Sequence, residues 1–235
     1  MSETLNVDRG EVAKFEALAH RWWDRDGEFR PLHDVNPARV DYIAAKCPLP
    51  NVRALDVGCG GGILTEALAE RGAAVTGIDM GEAPLAVARL HAEERGSSIR
   101  YLKTTAEALA VEEAERYDLV TCLETLEHVP SPASLVAACA RLVKPGGTVV
   151  LSTINRHPKA YALAVLGAEY VLGLLPRGTH DYRKFIKPSE LARDARATGL
   201  DVEELRGMRY NPFTRGCTLT DDVDVNYLLC ARKPT

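Results

Sequence analysis

Two groups of residues in this chain have types and spacings that suit chemistry. The first is Ala54-Leu55-Asp56-Val57-Gly58-Cys59-Gly60-Gly61-Gly62, an apolar run entering a glycine-dense turn just ahead of a helical pattern. Glycine tolerates positive φ and lets backbone come close to a ligand, while a helix start offers free N–H groups and the positive end of a dipole. Such a turn suits a nucleotide-type ligand, either a dinucleotide or adenosylmethionine; the plainer alternative is a tight turn with no ligand. Two residues separate the ligands. Ile63 stands where the dinucleotide fingerprint has its third glycine. Asp56 places a carboxylate two residues ahead of Gly58, where it repels a pyrophosphate and attracts an ammonium or sulfonium. Asp79 follows Gly58 by 21 residues, close to the ~20 of the acid that grips ribose hydroxyls. Its competing role is an N-cap for the next helix.

The second group is Glu124-Thr125-Leu126-Glu127-His128-Val129-Pro130. In a helical turn Glu124, Glu127 and His128, related as i, i+3 and i+4, share one face. They follow a predicted strand, and parallel sheets bind ligands beyond the carboxyl ends of their strands. His128 has an intrinsic pKa suited to a general base. The three side chains together are also an acceptable ligand set for Mg²⁺ or another divalent cation acting as a Lewis acid. A third alternative is that the run only shapes a pocket.

The elements that must position these residues alternate along the chain. Apolar strands are predicted at Arg53–Cys59, Ala74–Asp79, Ser98–Lys103, Tyr117–Glu124 and Gly147–Ile154, most of them Val/Ile/Leu-rich on both faces. Between them, helices run from Gly62 to Arg71, from Glu82 to Arg95 and from Ser131-Pro132 to Lys144-Pro145-Gly146, each with recognisable start or stop signals. A last helix begins at Lys187-Pro188, and Val202–Tyr210 with the alternating Val223, Val225, Tyr227 and Leu229 forms a closing hairpin. This order predicts an α/β doubly wound sheet with helices on both faces. Ahead of it, Val12, Phe15, Leu18 and Trp22 have helical spacing, so residues 1–50 read as a cover and residues 1–235 as one domain. Residues 155–186 insert about thirty residues where a connection of ~2–6 would suffice, and such an insertion serves the site that it overhangs.

With 46% apolar and 26% charged residues and a formal net charge of -4, the chain can bury a core, and it has no basic run to follow a nucleic acid. The six cysteines include no C-x-x-C pair, which argues for reduced thiols and a cytoplasmic location over zinc or disulfides. The first ten residues do not resemble a secretory signal. No apolar run approaches the ~20 residues of a membrane span.

Further segments carry a resemblance: Ala13-Lys14-Phe15-Glu16-Ala17, Arg21-Trp22-Trp23-Asp24, Gly27-Glu28-Phe29, Pro31-Leu32-His33, Gly178-Thr179-His180-Asp181, Lys184-Phe185-Ile186-Lys187-Pro188 and Val223-Asp224-Val225-Asn226-Tyr227. In this ordered set the chain resembles the ubiquinone biosynthesis O-methyltransferase family over nearly its whole length. The resemblance implies a Rossmann-like class I methyltransferase fold, with a mostly parallel seven-stranded sheet and an antiparallel last strand. It implies S-adenosylmethionine bound by Gly58 in the turn, by Asp79, by Arg39 from the cover and by Leu123, and the glycine turn itself adds Gly60 to the candidate cofactor contacts. Some members of the resembled family have Met at position 123, so a backbone or apolar contact is expected there, and a guanidinium at Arg39 suits the methionine carboxylate.

The implied acceptor is a polyprenylated phenol or quinol, methylated at two steps. A phenol near pKa ~10 must lose its proton before it attacks a methyl group, so the base and metal readings of Glu124, Glu127 and His128 both stay open. The acceptor's tail belongs in a bilayer. Tyr161, Leu163, Val165, Leu166, Tyr170, Leu172, Leu174 and Leu175, flanked by Arg156, Lys159, Arg177, Arg183, Lys184 and Lys187, resemble an interfacial anchor for an anionic membrane surface. A lid helix packed on the sheet is the alternative, and membership of a quinone-biosynthesis complex is a further expectation. Rival functions are an NAD-dependent reductase, a non-catalytic cofactor-binding module and a quinone C-methyltransferase.

Overall fold

The computed structural model describes residues 5–162 and 181–235. Its eight-stranded sheet has the order β3-β2-β1-β4-β5-β8-β6-β7. The strands are β1 (Arg53–Val57), β2 (Ala74–Asp79), β3 (Arg100–Lys103), β4 (Tyr117–Leu123), β5 (Val143–Ile154), β6 (Asp201–Asn211), β7 (Gly216–Thr220) and β8 (Asn226–Arg232). The first five pair in parallel. β8 runs antiparallel between β5 and β6, and β7 pairs antiparallel with β6. The helices are α1 (Arg9–Leu18), α2 (Arg30–Lys46), α3 (Ile63–Glu70), α4 (Glu82–Glu94), α5 (Ala106–Glu112), α6 (Pro132–Leu142), the short α7 (Pro158–Ala160) and α8 (Pro188–Ala197).

Side chains alternate along each strand and divide the core into two layers. Leu55, Val120, Leu151 and Leu229 join one cluster, with Leu109, Leu135 and Leu191 from α5, α6 and α8. Ala54, Leu119, Val150 and Leu228 join the other, with Ile43 and Leu68 from α2 and α3. Both faces of the central strands are therefore dry, which explains their unbroken apolar sequences.

Three details differ from the sequence expectation. The sheet has eight strands instead of seven, because the segment after β6 turns back at Arg215 (φ +58) and adds β7 at the edge before the chain returns as β8. β7 is Gly-Cys-Thr-Leu-Thr with no buried residue, so it carries little hydrophobic pattern. Consequently Val223 and Val225 precede β8 and are not part of a hairpin strand. The strands also stop early: β1 ends at Val57 and β4 at Leu123, where Gly58 (φ +72) and Glu124 (φ +52) leave the extended conformation. These breaks turn the chain out at the carboxyl ends of β1 and β4, between which the order of the sheet reverses.

The anchor residues Leu163, Val165, Leu166, Tyr170, Leu172, Leu174, Leu175 and Arg177 lie outside the described residues, as do Gly178, Thr179 and His180. No described helix is long and apolar enough to cross a membrane. Four of the six flanking cations are held by acids of the protein: Arg156 by Glu190, Lys159 by Asp222 and Asp224, Arg183 by Asp181, and Lys184 by Asp8 and Glu11.

Candidate active site

One cleft of about 1250 Å³, its open mouth included, lies where the sheet order reverses. Its walls include all six residues expected at the cofactor, Arg39, Asp56, Gly58, Gly60, Asp79 and Leu123, together with Glu124 and His128. Elements far apart in sequence thus converge on one site.

The glycine turn is fixed from three sides. Gly58 N–H and Cys59 N–H donate to the Ile78 carbonyl at 2.8 and 3.0 Å. Asp79 accepts from Gly60 N–H through Oδ2 at 3.0 Å and from Gly81 N–H through Oδ1 at 2.7 Å. Asp79 does not cap α4, whose N-cap is Gly81 without a side-chain bond. Burial raises the Asp79 carboxyl above its ordinary range while these N–H groups oppose the rise, and its remaining lone pairs are available to a diol. Above the turn lies Trp22, stacked on Phe29 with ring centres 4.0 Å apart. A Cβ at Gly60 or Gly61 would fall inside the Trp22 ring, so these glycines let the N-terminal segment close over the turn.

Asp56 is only 3% exposed, and its two oxygens accept from Thr65 Oγ1 at 2.7 Å and Thr121 Oγ1 at 2.8 Å. Burial pushes its carboxyl up to about 6 against those two bonds. It is a fixed negative centre under the turn. Arg39 reaches the cleft from α2 and donates through Nη2 to Glu124 Oε1 at 2.7 Å, while its Nε is buried with no hydrogen-bond partner among the described residues. An arriving carboxylate could satisfy that donor.

Glu124 also accepts from Ser152 Oγ at 2.6 Å and from Asn226 Nδ2 at 3.0 Å. Glu127 is buried, is absent from the cleft wall and accepts from Thr153 Oγ1 at 2.8 Å. Burial, then the neighbouring Glu124 charge, pushes its carboxyl up to about 7. His128 lies on the wall with Nδ1 3.0 Å from Glu11 Oε2. Burial alone would lower its pKa, but the Glu11 bond and the charges of Glu127, Glu11 and Glu124 raise it.

The expected metal set of Glu124, Glu127 and His128 is therefore not assembled. Only Leu126–His128 forms a helical turn, a 3-10 turn, and Glu124 sits before it in a left-handed conformation, so the three do not share a helix face. Their side chains engage Arg39, Thr153 and Glu11 respectively, and among the described residues no group of three or more acids, histidines or cysteines could hold a metal ion. These residues as placed do not fit a divalent cation.

Sequence reasoning missed Glu11, Trp22, Thr125, Ser152 and Asn226 as parts of this site. Trp22 carried a signal, since it ended an apolar stripe with Val12 and Phe15, and that stripe borders the cleft. Glu11, Ser152 and Asn226 are polar residues whose partners in the site lie far off in the chain, as with Ser152, 28 positions from Glu124.

Comparison with known proteins places the chain in a family. The family described as a methyltransferase domain matches residues 27–205. The ubiquinone biosynthesis O-methyltransferase of Pseudomonas entomophila (strain L48) is 62% identical over 95% of this chain and 97% of its own length. The one from Pseudomonas aeruginosa PAO1 is 62% identical over 97% of this chain and 98% of its own. The chain belongs to the ubiquinone biosynthesis O-methyltransferase family. Among solved structures, magnesium protoporphyrin IX methyltransferase from Synechocystis PCC 6803 with bound SAH superposes with a TM-score of 0.66 at 20% identity, over 95% of this chain and 99% of that one. That likeness, at low identity, is one of fold: the methyltransferase architecture is shared. A reductase built on a dinucleotide fingerprint is set aside by both the family and Ile63.

Proposed function

We propose that this methyltransferase transfers the methyl group of S-adenosylmethionine to a phenolic oxygen of polyprenylated ubiquinone precursors, at both the 2-polyprenyl-6-hydroxyphenol and the 3-demethylubiquinol step. The observation that carries the reading is the convergence in one cleft of a buried acid, a glycine turn, a ribose-type acid and a partly unsatisfied buried arginine, with His128 beside them. Bound there, the cofactor would supply an electrophilic methyl on a sulfonium. Asp56 sets a negative field that favours the cationic end. Asp79 accepts ribose hydroxyls while holding the turn, and Leu123 gives the adenine an apolar contact. Arg39 pairs with the methionine carboxylate and in doing so loosens its hold on Glu124.

At the acceptor, His128 takes the phenol proton as the oxygen–methyl bond forms. Glu124, on the wall beside it, accepts a hydrogen bond from the second acceptor oxygen. Glu127, buried against Thr153, supports the turn that carries His128. Quinone C-methylation uses the same cofactor geometry but needs no phenol proton removed at this position.

The test is transfer of label from radiolabelled S-adenosylmethionine to a soluble short-tail catechol, combined with melting of the protein in S-adenosylhomocysteine. We expect a labelled methyl ether and a raised melting temperature, because a ligand specific to the native state stabilises it. Label on carbon, or no shift at millimolar ligand, would overturn the reading.

We also place the chain at a membrane surface, since the acceptor's tail partitions into lipid. With most flanking cations already paired inside the protein, the apolar residues carry this part of the reading. Co-flotation with vesicles is expected to fall when Leu174 and Leu175 both become Glu; equal flotation of the variant would remove it.

A further inference from the structure

Helix α1 buries one residue, and that residue is Glu11. A helix fastened to a protein for stability alone buries its apolar side, and a carboxylate taken from water costs free energy unless something compensates it. The compensation comes from three sides. Oε2 lies 3.0 Å from His128 Nδ1, while Oε1 accepts from Lys184 Nζ at 2.9 Å and from Lys14 Nζ at 3.2 Å. These partners hold the Glu11 carboxyl well below the usual range, the His128 bond contributing most, against the opposing effect of burial. One helical turn along α1, Phe15 meets the same imidazole edge to face, with ring centres 5.1 Å apart at 89°. The helix therefore grips the His128 ring twice.

We infer that Glu11 is a positioning residue for His128: it receives the Nδ1–H of the imidazole, and this fixes both the plane of the ring and the nitrogen left free. With Nδ1 protonated toward a carboxylate, the neutral ring carries its lone pair on Nε2, the nitrogen that Glu11 does not engage. Nε2 is then the nitrogen that receives the acceptor's proton. The imidazolium that results is stabilised by the Glu11 carboxylate, and Lys184 and Lys14 keep that carboxylate ionised throughout. Glu11 borders the cleft, but its carboxylate is taken up by His128, Lys184 and Lys14. Its effect passes through His128, as the orienting member of a nucleophile–base–orienter arrangement does. The inference rests on the functional reading above for its catalytic consequence, but the hydrogen bond itself does not.

Three variants and one spectroscopic signature test it. In protein labelled with ¹⁵N-histidine, wild-type His128 should show a protonated Nδ1 and an unprotonated Nε2 when neutral. Glu11→Gln, whose amide can either accept from or donate to Nδ1, should give a mixture of tautomers and lower kcat about 10- to 100-fold, less than the ~10²–10⁴-fold of the positioned base itself. Acceptor KM and S-adenosylhomocysteine affinity should stay within about twofold of wild type. Glu11→Asp, which keeps the charge at a shorter reach, should recover part of kcat, and Glu11→Ala should not. A wild-type kcat in all three variants, or a loss of cofactor affinity in step with kcat, would overturn the inference, because the second pattern is that of a fastening for α1. Wild-type protein with the Nδ1–H signature and no methyl transfer would overturn the functional reading and leave the Glu11 bond standing.

Discussion

Gly58→Ala is expected to weaken S-adenosylhomocysteine binding by at least about 100-fold while lowering the melting temperature only modestly. Gly58 adopts φ +72, and a Cβ there would overlap the Thr125 side chain. The left-handed conformation alone costs a non-glycine residue about 1–2 kcal/mol, which in a protein of this size lowers the melting temperature by roughly 2–8 °C. The overlap has a more local effect. Thr125 Oγ1 bonds the Leu123 carbonyl at 3.1 Å, and Gly58 N–H bonds Ile78 at 2.8 Å, so pushing them apart opens the contact between the glycine turn and the end of β4. That contact forms the floor of the cleft. Gly96→Ala is the matching control: it has φ +64, but nothing lies within 4 Å of its Cβ, and it is absent from the cleft wall. It should lose similar stability and keep its affinity. If isothermal titration finds the two variants binding alike, the close approach at Gly58 is not what the cofactor needs.

His128→Gln is expected to lower kcat by about 10²- to 10⁴-fold, the usual contribution of a positioned acid–base group, with S-adenosylhomocysteine affinity unchanged. Glutamine is chosen because its amide can donate to Glu11 as the imidazole does, so the buried carboxylate keeps a partner and the turn at Leu126–His128 keeps its support. What it lacks is a nitrogen that takes a proton near neutral pH. The effect should fall on kcat with little change in KM, as for an interaction made chiefly in the transition state. Retention of wild-type kcat in a steady-state assay with a soluble catechol would remove His128 from proton transfer.

The parts of the molecule that repeat a pattern were readable from the sequence. β1, β2 and β4 are apolar on both faces because both faces are covered, and the glycine turn announces itself through a conformation few residues tolerate. β7 was not readable, since an exposed edge strand with no buried residue needs no hydrophobic alternation. The gathering of Asp56, Gly58 and Asp79 in one cleft was readable for a similar reason, since they sit at fixed offsets around one turn. Glu124, Glu127 and His128 were read from spacing too, and there the spacing misled. An i, i+3, i+4 set shares a face only if the backbone is helical throughout, and Glu124 at φ +52 breaks that condition. Glu11 is 117 positions from His128, and no local pattern in a single chain reports a contact of that kind.

Val12 and Phe15 point α1 at the cleft instead of at the sheet. The helix is seated by Phe15 and Leu18, which pack on the Trp22, Phe29 and Ile63 cluster, and by polar ties around it, among them Asn6 Nδ2 to the Ser131 carbonyl and Lys184 to Asp8. An occupied cleft gives α1 further contacts along its Val12 and Phe15 side, so amide hydrogen exchange in α1 is expected to slow when S-adenosylhomocysteine binds. Protection of α1 would then report on cleft occupancy from a distance.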